Sequence, residues 1–426
     1  MSLSSLLALL SLILPLAMAR PTLESPSERD VNVRWPYGSE KIRGVNIGGW
    51  LVLEPFITPS LFSDTGNDGI IDEYTFCQYQ DHNTAYSALV NHWNTWITED
   101  DFRQIAAVGL NHVRIPIGFW AYDVSGGEPY IQGQAAYLDQ AIGWARDNGL
   151  KVIPDLHGAP GSQNGFDNSG RRSSEQWHTD SDNVLRTKLV IQTLSQKYSD
   201  PSYSQVVTML GLLNEPATYL NNDLLVTTRQ YWYDAYGAAR YPWNPQDSAI
   251  QSDLALIIHD GFQPLSTFDN YMTEPNYEDV FIDTHNYQVF NDDYQTWDAN
   301  THIKDLKGIC NQADNYASSP LWLMVGEWTL ASTDCAQWLN GRGIGARYDG
   351  SYPGSTAFSS EHKNFMREFY DVQVQTYENN AQGWIHWTWK TESAAEWSYQ
   401  AGLAGGWIPT DPGNHQSSIS SLCNQA

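Results

Sequence analysis

The stretch Leu212-Leu213-Asn214-Glu215-Pro216 closes an apolar run, residues 206–213, with an amide, a carboxylate and a proline. The run is too short for a helix core and rich in aliphatic and β-branched residues, so it reads as a buried parallel strand. Pro216 ends it and leaves Asn214 and Glu215 at its C-terminal lip. Taken alone, that is equally a polar strand end entering a turn. A second segment has the same design: Leu321-Trp322-Leu323-Met324-Val325-Gly326-Glu327 runs apolar and also finishes on a glutamate. Two strand ends that each deliver one Glu match the needs of glycoside hydrolysis. One carboxyl protonates the leaving group while the other attacks or activates water.

Six further segments repeat the pattern on either side. Strands are predicted in the centre of 41–50, at 110–117, at 150–156 ending in His157, at 256–259, at 280–284 ending in His285, and at 383–389. Between them lie helical stretches at 88–97 and 137–148, the second stopped by Gly149. Thr98 is placed to cap another helical segment, with Phe102, Ile105 and Ala106 as its apolar face. Alternating strands and helices imply a parallel sheet with right-handed crossovers. Eight such units close into a (β/α)8 TIM barrel with long βα loops, and residues 20–426 are expected to form one catalytic domain with a short polar tail. The rival, an open doubly wound sheet, lacks its Gly-x-Gly-x-x-Gly after the first strand. The run Gly341-Arg342-Gly343-Ile344-Gly345 falls in a loop instead.

Active residues of this barrel come from the C-terminal strand ends. Those ends hold Arg114, His157, Asn214, Glu215, His285, Tyr287, Glu327 and Trp387. Each has an ordinary structural reading alone; together at one lip they outline a site. Glu215 is the expected acid, its pKa raised by burial and a neighbouring carboxylate. Asn214 is placed to bond a sugar 2-hydroxyl. Glu327 is the expected nucleophile, with Arg114 and Tyr287 as candidates to hold it ionised. Strand pattern alone leaves the two glutamate roles interchangeable. No paired histidines mark the first strand and no Cys-x-x-Cys occurs, so neither a metal nor a cofactor is expected. A serine esterase elbow, Gly-x-Ser-x-Gly, is absent.

Composition narrows the class. Lys and Arg number 23 against 49 Asp and Glu, a net charge of −26, which excludes a nucleic-acid binder. Eighteen tryptophans (Trp 18) in a chain with only 17% charged residues suit stacking on flat sugar faces. Residues 6–16 are leucine-rich and lead into Ala17-Met18-Ala19, a small-x-small cleavage site, so residues 1–19 read as a secretory signal. The leader is too short for a membrane span, so a secreted product in the medium or cell wall, acting as a monomer, is expected. Among four cysteines, Cys310 with Cys423 would staple the polar tail, leaving Cys77 with Cys335.

Several longer motifs carry a resemblance. Arg43-Gly44-Val45-Asn46-Ile47-Gly48-Gly49-Trp50-Leu51-Val52-Leu53-Glu54-Pro55 resembles the opening of fungal exo-1,3-β-glucanases of glycoside hydrolase family 5. So do Asp155-Leu156-His157-Gly158-Ala159-Pro160-Gly161-Ser162-Gln163-Asn164-Gly165, Asn214-Glu215-Pro216, Val325-Gly326-Glu327-Trp328 and Trp387-Thr388-Trp389-Lys390-Thr391-Glu392. The match runs in order from about residue 40 to about residue 400. The resemblance implies a retaining mechanism and release of glucose from non-reducing ends of β-1,3-glucan. It also implies that Glu215 is acid/base and Glu327 nucleophile. Glu54 would grip hydroxyls of the terminal sugar, Arg114, His157, Asn214, His285 and Tyr287 would line its subsite, and Trp387 would floor it. Phe166 and Phe290 lie beyond two strand ends and could flank the entrance. Two departures, Phe56 where relatives often carry Trp or Tyr and a short loop between Tyr348 and His362, bear on chain-length or linkage preference. The alternatives are an endo-β-1,4- or β-1,6-glucanase and a non-catalytic wall-glucan-binding protein, the latter disfavoured by two intact glutamates.

Overall fold

A computed structural model describes residues 34–244, 251–304, 308–348 and 358–424. The expected leader at 1–19 and most of the loop between Tyr348 and His362 lie outside the described residues. Eight parallel strands close on themselves: β1 Ile42–Asn46, β2 His112–Gly118, β3 Lys151–Gly158, β4 Met209–Gly211, β5 Ala255–His259, β6 Val280–Asn286, β7 Trp322–Trp328 and β8 Gly383–His386. Each pairs with the next, and β8 returns to β1 with Ile42 opposite Gly383. Every predicted strand is present, so the TIM-barrel reading holds.

Boundaries moved where caps outweighed periodicity. The helix read at 88–97 spans His82–Thr95, because the Asp81 carboxylate accepts the amides of Asn83 and Thr84 at 3.1 and 3.2 Å. Strand β4 is short because Val206 and Val207 both donate their amides back to Tyr203 O, which holds the start of that run in a turn. Helix Glu99–Ala107 starts at Thr98 as predicted, and Asp101 accepts the Thr98 N–H at 2.8 Å. The same carboxylate takes Trp389 Nε1 at 2.9 Å and Lys390 Nζ at 2.8 Å, tying the helix to the chain leaving β8.

The barrel interior is layered. Ile42, Ile153, Met209, Phe281, Met324 and Ile385 form an apolar plug at the N-terminal end, closed from below by Tyr37. Side chains two residues apart on a strand share a face. Above Ile153 on β3 therefore come Asp155 and His157, and above Phe281 on β6 come Asp283 and His285. Hydrocarbon gives way to charge within one step along each strand. The outer strand faces carry Val113, Ile115, Val152 and Leu210 into the main core under the helices.

Cys310 and Cys423 are bonded, with Cα atoms 5.6 Å apart across 113 residues of chain. The expected Cys77–Cys335 bridge is not formed. Cys77 sits on helix Glu73–Gln78 facing the main core, where burial pushes its thiol up, whereas Cys335 is half-buried in the chain after β7. A bridge closing so long a loop stabilises by roughly 2–4 kcal/mol, chiefly through the unfolded chain. Cys310→Ser should lower the melting temperature by several degrees and loosen helix Ile419–Asn424 without altering the barrel mouth. Thermal unfolding with and without reductant checks this, and an unchanged melting temperature would show that the bridge contributes nothing.

Candidate active site

The two glutamates stand at the C-terminal mouth, opposite each other. Glu327 ends β7, while Glu215 follows β4 with its backbone in the left-handed region (φ 46°). Both are at least nine-tenths buried. The imidazole of His285 lies between them: Nδ1 is 2.6 Å from Glu215 Oε1 and 3.3 Å from Glu327 Oε2. Those contacts keep the two facing oxygens within about 6 Å of each other, short of the roughly 6.5–9.5 Å of an inverting pair.

Glu327 is held on both oxygens. Arg114 donates to Oε1 at 2.8 Å and the Tyr287 hydroxyl to Oε2 at 2.7 Å. Arg114 also donates to Asn46 Oδ1 at 2.9 Å and to Asn214 Oδ1 at 2.7 Å, and it lies 3.1 Å from Asp155. Its fork thus fixes the Asn214 amide with the nitrogen facing outward, 3.4 Å from His157 Nε2. His157 rests its other nitrogen on Asp155 at 2.8 Å and stacks on Trp387 at 5.5 Å between ring centres. Glu54 is buried, and among the described residues its carboxylate accepts a hydrogen bond from the Gly49 amide alone, 3.3 Å away.

The remaining two predicted residues lie at the edge of this cluster. Phe290 is 46% exposed and packs on Tyr287 and Trp397, while Phe166 is 37% exposed on the loop after β3. Phe56 lies edge-on to Trp397 at 5.4 Å, so this departure belongs to the aromatic wall beside Tyr287.

Sequence reasoning missed the supports: Asn46, Asp155, Asn168, His259 and Asp283. A signal for two of them was present. Asp155-Leu156-His157 and Asp283-Thr284-His285 are the same Asp-x-His pattern at the ends of β3 and β6, and the strand period puts both members in the lumen. Each aspartate is packed against a glycine of the next strand. A Cβ on Gly211 would lie 2.3 Å from Asp155 Oδ1, and one on Gly326 2.2 Å from Asp283 Oδ2. The Gly326 amide in turn donates to Asp283 Oδ1 at 2.6 Å.

This network sets the protonation. Burial works against a charged His285, yet Glu327, Asp283 and Glu215 together raise its pKa well above the ordinary imidazole value. Burial also raises Glu215, but the His285 hydrogen bond and charge outweigh it and hold that carboxyl below its usual range. Glu327 is raised by burial and by the Glu215 charge, against the pull of His285 and Arg114. The expected raised pKa on Glu215 is therefore not met in the resting site. The opposed shifts of the two partners favour the proton on His285, one short hydrogen bond away. Burial, with Asp167 and Glu327 nearby, raises Glu54 well above its usual carboxylate value.

Glu215, His259 and His285 bring ligand atoms within 4.8 Å of one another. They do not suit a metal. His259 Nδ1 accepts the Gly261 amide at 2.9 Å, which leaves the proton on Nε2 and no ring nitrogen of His259 free to coordinate.

The family model described as Cellulase (glycosyl hydrolase family 5) matches residues 77–393. The glucan 1,3-beta-glucosidase of Blumeria graminis is 43% identical over 411 residues, 92% of either chain. That of Candida oleophila is 43% identical over 418 residues, 93% of this chain and 95% of its own. Among solved structures, a rutinosidase from Aspergillus niger superposes with a TM-score of 0.69 at 20% identity, covering 87% of this chain and 98% of that one, a likeness of fold.

The close approach at Gly326 generates a test of the supports. Gly326→Ala should displace Asp283, cost about 1–3 kcal/mol through overpacking, and lower the His285 pKa. Thermal denaturation and the ¹⁵N shifts of the imidazole ring read the two effects. A His285 ring still doubly protonated at neutral pH in that variant would mean Asp283 is not what holds its charge.

Proposed function

The chain belongs to glycosyl hydrolase family 5, and from that premise we propose that it is an exo-acting glucan 1,3-β-glucosidase, releasing glucose from the non-reducing ends of β-1,3-glucan with retention of configuration. The observation that carries the reading is the bridge made by His285 Nδ1, which keeps Glu215 and Glu327 within reach of one anomeric centre. The names of the relatives supply the linkage.

In the first half-reaction Glu327 attacks the anomeric carbon as a carboxylate, its oxygens aimed by Arg114 and Tyr287. The glycosidic C–O bond breaks as Glu215 protonates the departing oxygen. The proton crosses from His285 Nδ1 to Glu215 Oε1 over 2.6 Å. In the second, Glu215 takes a proton from water, the water oxygen attacks the same carbon, and the bond to Glu327 breaks, freeing β-glucose. The Asn214 amide, held by Arg114, bonds the 2-hydroxyl, a contact that strengthens as positive charge develops. Trp387 floors the sugar, His157 lies beside it, Glu54 donates to its outer hydroxyls, and Phe166 and Phe290 flank the next unit. All steps use this chain's own side chains. Secretion is part of the proposal, since the leader at 1–19 and the Cys310–Cys423 bridge both suit an oxidising route.

Proton NMR of initial products from laminarioligosaccharides tests the reaction. β-Glucose should appear first, one unit at a time. Larger oligosaccharides first would replace the pocket by a groove and exo by endo action, and α-glucose first would end the double-displacement scheme. Glu327→Gln should abolish turnover while oligosaccharide still binds; unchanged turnover would dismiss Glu327 as nucleophile.

The pH profile follows from the shifts. Glu327 must be ionised, and its pKa is raised, so activity should fall with acid from above the ordinary carboxylate value of 4.5. The His285–Glu215 pair must keep its proton, and His285 is raised, so the alkaline limb should lie above 6.5. His285→Gln returns the proton to a carboxyl and should move that limb to lower pH with reduced kcat. An alkaline limb that stays in place would show the proton is not stored on His285.

A further inference from the structure

Glu215 has two oxygens, and only one of them is explained by His285. Oε2 accepts a hydrogen bond from Asn168 Nδ2 at 3.1 Å. Asn168 belongs to the short turn Asp167–Ser169, in the loop after β3. Which end of its amide faces Glu215 is decided by a residue four positions earlier. Asn164, almost fully buried, donates its Nδ2 to Asn168 Oδ1 at 3.2 Å, and this leaves Asn168 only its NH₂ group to offer the carboxylate. Asn164 is itself fixed, because its Oδ1 accepts the Phe166 amide at 2.9 Å.

The loop holding this relay is tied down on several sides. Ser162 and Ser169 hydroxyls meet at 2.7 Å, Ser162 Oγ accepts the Gly165 amide at 2.8 Å, and Gln163 Nε2 donates to His157 O and Asn214 O, each at 2.8 Å. The last two contacts tie the loop to the strand ends that carry His157 and the acid. A carboxyl gripped on one oxygen can still rotate about its final bond. Gripped by His285 on Oε1 and Asn168 on Oε2, it has a fixed plane.

We propose that Asn168, oriented by Asn164, is a positioning residue for proton transfer by Glu215, setting the plane of its carboxyl. The inference rests on the reading of Glu215 as the acid/base. It makes a prediction that sugar binding or general loop integrity would not. A misaligned acid penalises only substrates whose leaving oxygen needs a proton. A dinitrophenolate departs without one, so its glycosylation step is blind to the plane of Glu215.

The test compares kcat/KM for laminaribiose and 2,4-dinitrophenyl β-glucoside in the full-length enzyme. Asn168→Ala should lose roughly tenfold or more on laminaribiose and less than about threefold on the aryl glucoside. Asn164→Ala, which does not touch Glu215, should show the same selectivity with a smaller loss. Equal losses on both substrates for Asn168→Ala would overturn the proposal and make Asn168 a sugar-binding or loop residue. Glu215→Gln is the internal reference. If it too loses equally on both substrates, Glu215 is not the acid and the functional reading fails. If Glu215→Gln is selective and Asn168→Ala is not, only the positioning role fails.

Discussion

One buried imidazolium organises the mouth of this barrel. Fully buried, His285 is drawn towards its charged form because Glu215, Glu327 and Asp283 surround it. Removing an ion from water costs several kcal/mol, and attraction in the interior offsets this only if geometry and hydrogen bonding are good. Arg114 plays the matching part for Asp155 and Glu327. The four acids and two cations are mutually dependent. Take either cation away and a buried carboxylate loses its partner, and the spacing of the two glutamates goes with it.

That arrangement needs a rigid frame, and the layered barrel supplies it. The apolar plug of Ile153, Phe281 and Met324 keeps water out from below, which strengthens every contact above. Gly211 and Gly326 let neighbouring strands carry a carboxylate against bare backbone. The two halves of the site are built alike: an Asp-x-His strand, then a strand with a glycine, then a glutamate. In β3 and β4 this delivers Glu215, and in β6 and β7 it delivers Glu327.

The resulting shifts invert the simple picture of a raised acid and a lowered nucleophile: Glu215 is held low and Glu327 is raised. In the proposed reaction the acid of the first step is therefore the pair His285 and Glu215, joined by one short hydrogen bond, rather than Glu215 alone. Apparent pKa values for such a site belong to the group of residues rather than to one of them.

Much of this was legible in the amino-acid order. Apolar runs that end in Glu215, His157, His285 and Glu327 announced both the strands and the lip on which they finish, since a parallel strand buried on both faces must be apolar until it reaches the mouth. The pairing of Cys310 with Cys423 was also readable, from an expected secretory leader and a polar tail to hold. Other features had no local signal. Asn168 contacts Glu215 across 47 residues, a separation at which no sequence spacing specifies a contact, whereas Arg114 on Glu327, 213 residues away, was expected only because both stand at strand ends of one lip. Cys77 and Cys335 remain apart because the packing of helix Glu73–Gln78 points one thiol into the core. The direction of the Glu215 shift was misread for the same reason. Residue order tells which groups can ionise; closing the barrel decides which of them share a proton, because that depends on distances of a few ångströms between strands far apart in the chain.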